Sequence, residues 1–407
     1  MNFKSILSLF ILAFCPSLFC QTNWPGNSWY GATNLTAVMN ANGITGASGL
    51  HWNNDTKRLY LVQDTGRLRV LQFNETTNAF TQIGNVGISG DLEGITQVNP
   101  LANEFYVVVE DAYSIRRYTH NANFTTVTLA NSWNLLLSPS PMVNTGNDGP
   151  EGISFVPDNW LQTSGFVSSQ TGQPYTSTKG MGGLMFIAHQ DGGFVWVFDI
   201  NPNQTNDFLY VGKYKTSRTE SCGLSFDSST GMLYILHNVG DNFLEVTDLT
   251  SQLINGEHVF TTVHEYFIPF VMDNKNIEGI AISNKCDDVS NVHAFLCRDA
   301  ANADGALVTT DVLRWFQNFG APGNCEPLGQ DDYEILSVVV YPNPTTGFLY
   351  FKSNTDFQVR GVVDVIGKVY AVDNVMGSVD LRSLPKGMYW VILEKDNQQS
   401  HVKVVKY

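Results

Sequence analysis

The chain has 407 residues, 43% of them hydrophobic and 12% aromatic, with 38 acidic side chains against 23 basic ones. The net charge of −15 disfavours nucleic acid and anionic membrane surfaces, because phosphate groups attract basic patches. Plentiful glycine and sparse charge describe a β-rich exported chain, long enough for two domains.

Residues 1–20 read as an export signal. Lys4 supplies the positive start and ILSLFILAF the apolar run, which is too short to span a bilayer as a mature helix. Cleavage is expected just before Gln21. SLFC, ending at Cys20, has the outline of a lipoprotein box, but the bulky Phe19 argues against lipidation. No later segment is long and apolar enough to cross a membrane. Residues 21–330 are expected to form the first domain, 331–337 a linker and 338–407 a second domain.

The first domain repeats itself. Its units open at Ser48, Glu93, Glu151, Cys222 and Glu278, in the stretches SGLHW, EGITQV, EGISFV, CGLSF and EGIAIS. Each has a short strand after x-Gly-apolar, a turn such as NNDTKR or DSSTGM, and a very apolar second strand. An alternating third strand follows, then a variable fourth such as TQIGNV or HEYFIP. VLRWFQNF at 312–319 has the look of a helical turn, but the repeat assigns it to a strand. No sustained 3.6-residue period occurs, which excludes a parallel α/β fold. Unit spacings of 45 to 71 residues start near one propeller blade and grow by loop insertions, notably 157–182 and 284–293. The expectation is an all-β chain: a five- or six-bladed β-propeller followed by a small C-terminal β-sandwich. Segment 22–47 either closes the last blade or contributes to a sixth. A solenoid is the competing architecture, with more uniform spacing.

In a propeller the first strand of each blade lines the axis. The glycine then permits close backbone approach, and the residue before it faces a common channel. Glu93, Glu151 and Glu278 are thereby expected to share a narrow space as metal ligands. Three close carboxylates need protons or a cation. Calcium suits such a set on chemical grounds. The competing reading makes each glutamate a latch, accepting backbone N–H groups from the next blade.

A second ring is expected where the second strands end. Glu110, His189, His237 and Arg298 would gather there with acid, base and anion-binding capacity, as candidate catalytic residues. Asp64, Asp111, Asp191 and Asp299 beside them read as turn formers. Asn147 and Asp148, in GNDGPEG, either add oxygen ligands or turn the chain. No GxSxG elbow, HExxH helix, P-loop or GxGxxG follows a strand.

Four cysteines follow the signal: Cys222, Cys286, Cys297 and Cys325. Export permits disulfides. Three pairings are open, and Cys286 with Cys297 is close enough for a local staple. No CxxC or Cys/His spacing suggests zinc.

From Val339 alternating apolar residues run between Pro/Gly/Asn turns: VVVYPNPTTGFLYF, RGVVDVIGKVYAV and LPKGMYWVILEKDNQQSHVKVVKY. This argues for a small antiparallel sandwich, with a turn at Gly367-Lys368. The YPNPT-G opening, the D-x-x-GK turn, the L-P-x-G-Y-W element and the final K-V-V-K strand resemble the C-terminal sorting domain of type IX secretion in Bacteroidetes. The resemblance implies contact with the type IX secretion machinery, passage across the outer membrane, removal of the domain, and release or attachment at the cell surface.

The repeats SGLHWNNDTKRLYLVQD, DLEGITQV, GPEGISFV, CGLSFDSSTGMLYILHN and NIEGIAIS resemble the SdiA-regulated family of β-propellers and, more loosely, the esterase-like phytase group. The first implies an exported propeller with a metal at the channel mouth. The second implies calcium-dependent phosphate-ester hydrolysis. Cys222 stands where that pattern has a glutamate, and few basic residues are present to hold phosphate. The functional expectation is a secreted or cell-surface propeller that binds a surface partner or small molecule at the channel mouth, with calcium. The alternatives are a calcium-dependent phosphoesterase and a structural surface protein.

Overall fold

Alternating apolar residues between tight turns produce strands through most of the chain, with short helices at Thr36–Met39, Asp158–Ser164 and Ala306–Thr309. The computed structural model describes residues 23–269, 276–325, 338–352, 357–364, 368–370, 374–375, 378–395 and 398–407. The expected export signal, the linker 331–337 and Gly367 lie outside these. The chain divides into two compact units, Met1–Cys325 and Glu326–Tyr407.

The larger unit begins with β1 (Thr33–Asn34). Four antiparallel strands follow: β2 (Ala47–Asn53), β3 (Arg58–Gln63), β4 (Arg67–Asn74) and β5 (Ala79–Gly87). The next group is β6 (Leu92–Thr96), β7 (Glu104–Val109), β8 (Ser114–His120) and β9 (Val127–Asn134). The third is β10 (Pro150–Pro157), β11 (Gly183–His189), β12 (Phe194–Ile200) and β13 (Phe208–Lys215). The fourth is β14 (Gly223–Asp227), β15 (Met232–His237), β16 (Phe243–Ile254) and β17 (Glu257–Phe267). One parallel pairing, Lys215 with Val259, joins the third and fourth groups into an eight-stranded sheet. The last group is β18 (Ile277–Ile282), β19 (Ala294–Arg298) and β20 (Leu313–Phe316), and its fourth strand is β1. Thus 313–316 is a strand, and segment 22–47 supplies the missing partner of the last sheet.

Turn chemistry fixes the hairpins. The Asn53 side chain accepts the N–H groups of Asp55 and Thr56 at 3.0 and 2.8 Å, an Asx turn that Lys57 completes at φ +54°. Asp227 does the same for Ser229 at 2.8 Å.

The second strands explain the packing. Alternate residues of a strand face opposite sides. In β3, Leu59 and Leu61 enter a core shared with Phe295 and Trp315 of the last group, while Tyr60 and Val62 enter one shared with Ile95 and Phe105 of the next group. In β7, Phe105 and Val107 face that core, and Tyr106 and Val108 face one shared with Met185 and Ile187. β11, β15 and β19 repeat the pattern. Each second strand is therefore apolar on both faces, because each lies between two neighbouring sheets.

The first strands pack in a closed round: β2 on β6, β6 on β10, β10 on β14, β14 on β18 and β18 on β2. Glycine makes this possible. A Cβ added at Gly49, Gly94, Gly152, Gly223 or Gly279 would lie within 2.9 Å of the carbonyl oxygen of Glu93, Glu151, Cys222, Glu278 or Ser48, respectively.

The N-terminal segment is laced to the last sheet. Thr33 pairs with Trp315 and Asn34 with Arg314. Trp29 is buried, and its Nε1 donates to Asp311 at 3.0 Å. The guanidinium groups of Arg298 and Arg314 each sit 5.9 Å from its ring. Thr36 Oγ1 accepts the N–H groups of Val312 and Leu313 at 2.9 and 3.1 Å.

Cys286 is bonded to Cys325, not to Cys297. Cys297 is buried and free, because on β19 its side chain faces the core shared with Ala47 and Leu50. Among the described residues no helix is long and apolar enough to cross a membrane.

The smaller unit has β21 (Val339–Tyr341), β22 (Phe348–Lys352), β23 (Gln358–Asp364), β24 (Val369–Tyr370), β25 (Asn374–Val375), β26 (Ser378–Asp380), β27 (Gly387–Lys395) and β28 (Gln398–Lys406). They form two four-stranded antiparallel sheets, ordered β21-β22-β26-β25 and β24-β23-β27-β28. Leu349 and Val379 of one share a core with Val362, Val391 and Val404 of the other.

Trp29→Ala should lower the stability of the larger unit by about 3–5 kcal/mol, since it empties a buried aromatic site and leaves Asp311 short of a donor. Urea unfolding followed by tryptophan fluorescence and circular dichroism measures this. A loss below about 1 kcal/mol would show that the N-terminal clasp contributes little.

Candidate functional site

The residue before each of the five glycines sits at the inner end of a first strand. Glu93 and Glu151 are buried there, and Glu278 holds the equivalent place on β18. Ser48 and Cys222 complete the round. A narrow axial void of about 10 Å³ is lined from all five first strands, with Glu93 and Glu278 on its wall. That is room for one water at most.

The three glutamates meet electrostatically. Burial and then Asp91 push Glu93 up to about 8, with Glu110 adding to the effect. Burial, Glu93 and Glu278 drive Glu151 well above the usual carboxylate range. Burial, Glu93 and Asp299 do the same to Glu278. Among the described residues no lysine or arginine pairs with any of the three. Glu278 has a neutral donor, Asn276 Nδ2, at 2.8 Å.

The acidic character extends outward from the axis. Carboxylate oxygens of Asp91, Glu93 and Glu110 lie within 4.8 Å of one another. Asp299 and Asp64 both raise Glu278, and burial followed by Asp64 raises Asp299, while Asp111 and Asp148 act on Glu110. Two ligands of one calcium ion, each 2.3–2.6 Å from it, are at most about 5 Å apart. The Asp91, Glu93 and Glu110 set therefore fits a hard cation in both spacing and donor type.

Of the second expected ring, only Glu110 reaches this mouth. It also accepts the N–H of Gly149 at 3.0 Å. His189 is buried near the rings of Tyr113 and Trp196, and burial lowers its pKa to about 4. Its Nδ1 accepts the Asp191 N–H at 3.2 Å, and its Nε2 has no partner. His237 is engaged at both nitrogens, by the Glu220 carbonyl and by Glu245 Oε2 at 3.3 Å. Burial alone would raise the Glu245 carboxyl, but the His237 hydrogen bond and charge outweigh it and hold it below the usual range. Arg298 is fully buried, donating to the carbonyls of Asp311 and Val308 at 2.8 and 3.1 Å. His237 and Arg298 thus belong to the wall between sheets. The next residue along each strand points the other way, so Asn238 and Asp299 face the mouth.

Asp91 was not foreseen at the site, and Asp64 and Asp299, read as turn formers beside the second ring, join it as acidic neighbours of Glu278. The signal available for Asp91 was its place two residues before Glu93, whose carboxylate it meets. Asn276 and Glu278 repeat that spacing.

Among the described residues no backbone N–H donates to Glu93, Glu151 or Glu278. Lacing between sheets falls to other side chains. Thr96 accepts from Phe155 N at 3.3 Å, Ser225 from Ile282 N at 3.1 Å and Asp227 from Lys285 N at 3.2 Å. Asp148 stands at the turn before β10, where Thr145 Oγ1 donates to its carbonyl at 2.7 Å.

Residues 339–407 match the family described as secretion system C-terminal sorting domain. The chain carries a type IX sorting tail. That tail supports export by the type IX machinery to the exterior or the cell surface. No curated protein matches the chain. Among solved structures, Raptor from Chaetomium thermophilum is similar at 12% identity and TM-score 0.34, over 90% of this chain and 28% of that one. A functionally unknown protein from Desulfotomaculum acetoxidans is similar at 12% identity and TM-score 0.35, over 62% and 68%. Sqt1 from Saccharomyces cerevisiae is similar at 9% identity and TM-score 0.30, over 88% and 83%. This chain thus spans under a third of the Raptor chain's length.

The carboxyls hold protons more tightly folded than unfolded, so the metal-free protein is stabilised below about pH 4.5 and loses that contribution as pH rises towards 8. In chelator, the melting temperature should fall over that window. Glu151→Gln, which needs no proton to stay neutral, should raise it at pH 8 by roughly 5 °C and flatten the profile. Melting runs from pH 4.5 to 8.5 test this; a profile rising with pH, or unchanged by the substitution, contradicts it.

Proposed function

We propose that residues 23–325 form a five-bladed β-propeller, closed by its N-terminal strand, and that the exported protein holds a divalent cation at the acidic end of its axis. Five strand groups, five cores between consecutive groups and the closed glycine round support the architecture. The convergence of Asp91, Glu93 and Glu110, beside Glu151 and Glu278 and without a basic partner, carries the cation reading. Calcium is the cation we favour. The donors are all hard oxygens, whereas magnesium demands tighter geometry and zinc prefers nitrogen or sulfur. Asp91, Glu93 and Glu110 would ligate it, with Glu151 and Glu278 relieved of mutual repulsion. Calcium supplies positive charge there, and the mouth becomes a binding place for a partner that offers oxygen donors outside the cell.

Phosphoester hydrolysis gains no observation. Of the groups it needs around substrate, His237 and Arg298 are spent inside the wall, and His189 is buried, with its pKa lowered by burial to about 4.

The full secreted chain, dialysed against calcium and analysed for metal, should hold about one ion. Adding calcium at about 100 times its dissociation constant should contribute about 2.7 kcal/mol over the chelated state, a rise of roughly 5 °C in melting temperature. Glu93→Gln with Glu110→Gln should abolish both effects. No bound metal together with identical melting in chelator and calcium would refute the cation site.

A further inference from the structure

At the opposite ends of the first strands the axis opens into a second cavity, of about 350 Å³, which receives residues from all five strand groups. This is within the range of small-molecule sites. Its character is the reverse of the acidic mouth. Leu50, Ile153, Phe155, Leu224, Phe226 and Ile282 give it apolar walls. No lysine or arginine lines it, and its one carboxylate is Asp55, on an exposed turn.

The polar groups inside come from one register. The second residue after each ring glycine is His51, Thr96, Ser154, Ser225 or Ala281. Thr96 and Ser225 are spent on backbone N–H groups of the next sheet. His51 and Ser154 line the cavity and have no hydrogen-bond partner among the described residues. Burial lowers the His51 pKa to about 4, so at neutral pH its ring offers one donor and one acceptor. Asn53 and Gln97 also line it, but their buried amides are bonded to each other at 2.7 Å and to the carbonyls of Pro100 and Glu104 at 2.7 and 2.8 Å.

An anion entering this cavity would lose its hydration without finding a basic side chain, which is costly. A purely apolar ligand would leave His51 and Ser154 desolvated and unpaired, which is also costly. The lining suits a molecule with apolar faces and uncharged hydroxyl edges. A sugar ring has that form, with C–H faces for the aromatic and aliphatic walls and hydroxyls for the imidazole and the serine. A neighbouring cavity of about 420 Å³ shares Trp52, Asn54 and Asn284 with the first, leaving space for further rings.

We propose that this end of the axis is a binding site for neutral oligosaccharides, with His51 and Ser154 as its inner hydrogen-bonding groups. It lies away from the acidic mouth and needs no cation.

The full chain should be applied to an array of neutral and acidic glycans, and the strongest neutral glycan titrated by calorimetry. Neutral glycans should bind, and their sialylated or uronate-bearing counterparts at least 10-fold more weakly. Binding should persist in chelator, which separates this site from the cation reading. His51→Leu should weaken it at least 10-fold, and Ser154→Phe, which fills the cavity, should abolish it. A melting temperature close to that of the parent chain verifies folding, and if Ser154→Phe fails that check, His51→Leu decides. Failure to bind any neutral glycan, preference for acidic glycans, loss of binding in chelator, or unchanged binding by a folded His51→Leu variant would each overturn the assignment.

Discussion

The close approach of the first strands at Gly49, Gly94, Gly152, Gly223 and Gly279 governs the larger unit. A side chain at any of these positions would collide with the neighbouring backbone, and the round of β2, β6, β10, β14 and β18 would have to open. Because the round is tight, each second strand is pressed between two sheets and must be apolar on both faces. Because it is closed, the last sheet needs a fourth strand, which the N-terminus provides. Trp29, Asp311 and Arg314 hold that strand in place, with Arg298 buried beside them.

The same constraint creates the electrostatic problem at the axis. A residue preceding a ring glycine cannot avoid the centre, and three of the five are glutamates. Burial and mutual repulsion favour their protonated forms, and Asp91, Glu110 and Asp299 aggravate the repulsion from the mouth. A protein made only for stability would gain from amides here, since uncharged groups of the same shape avoid an unpaired buried charge. Retaining carboxylates makes sense if a cation joins them. At the far end the strands carry hydroxyls, one imidazole and apolar side chains, and no such tension exists. The two ends of one axis thus present opposite chemistries from a single repeating strand.

Histidine and arginine residues that looked catalytic in the sequence serve the walls. His237 bridges the Glu220 carbonyl and Glu245, and Glu245 in turn gathers Ser217 N–H and the Thr262 hydroxyl. Such a satisfied polar network inside a β wall costs little and fixes how neighbouring strands meet. The disulfide from Cys286 to Cys325 ties the end of the larger unit to the loop after β18, a tie available outside the cell.

The sequence by itself determined the local structure: strand periodicity, Asx turns at Asn53 and Asp227, the repeated Glu-Gly register and the sorting tail. Each is written in residues close together along the chain. The repeat also aligned Glu93, Glu151 and Glu278, because equal positions in equal units point the same way. What only the tertiary structure decided were matters of side-chain direction and long-range contact. It turned His237 and Arg298 into the wall while Asp299 faced the mouth, joined Cys286 to a residue 39 positions away, and added Asp91 and Asp64 to the acidic cluster. It also brought His51 and Ser154, from separate repeats, into one cavity. A one-residue step along a strand reverses the face that a side chain occupies, and no local pattern records which face the neighbouring sheet will cover.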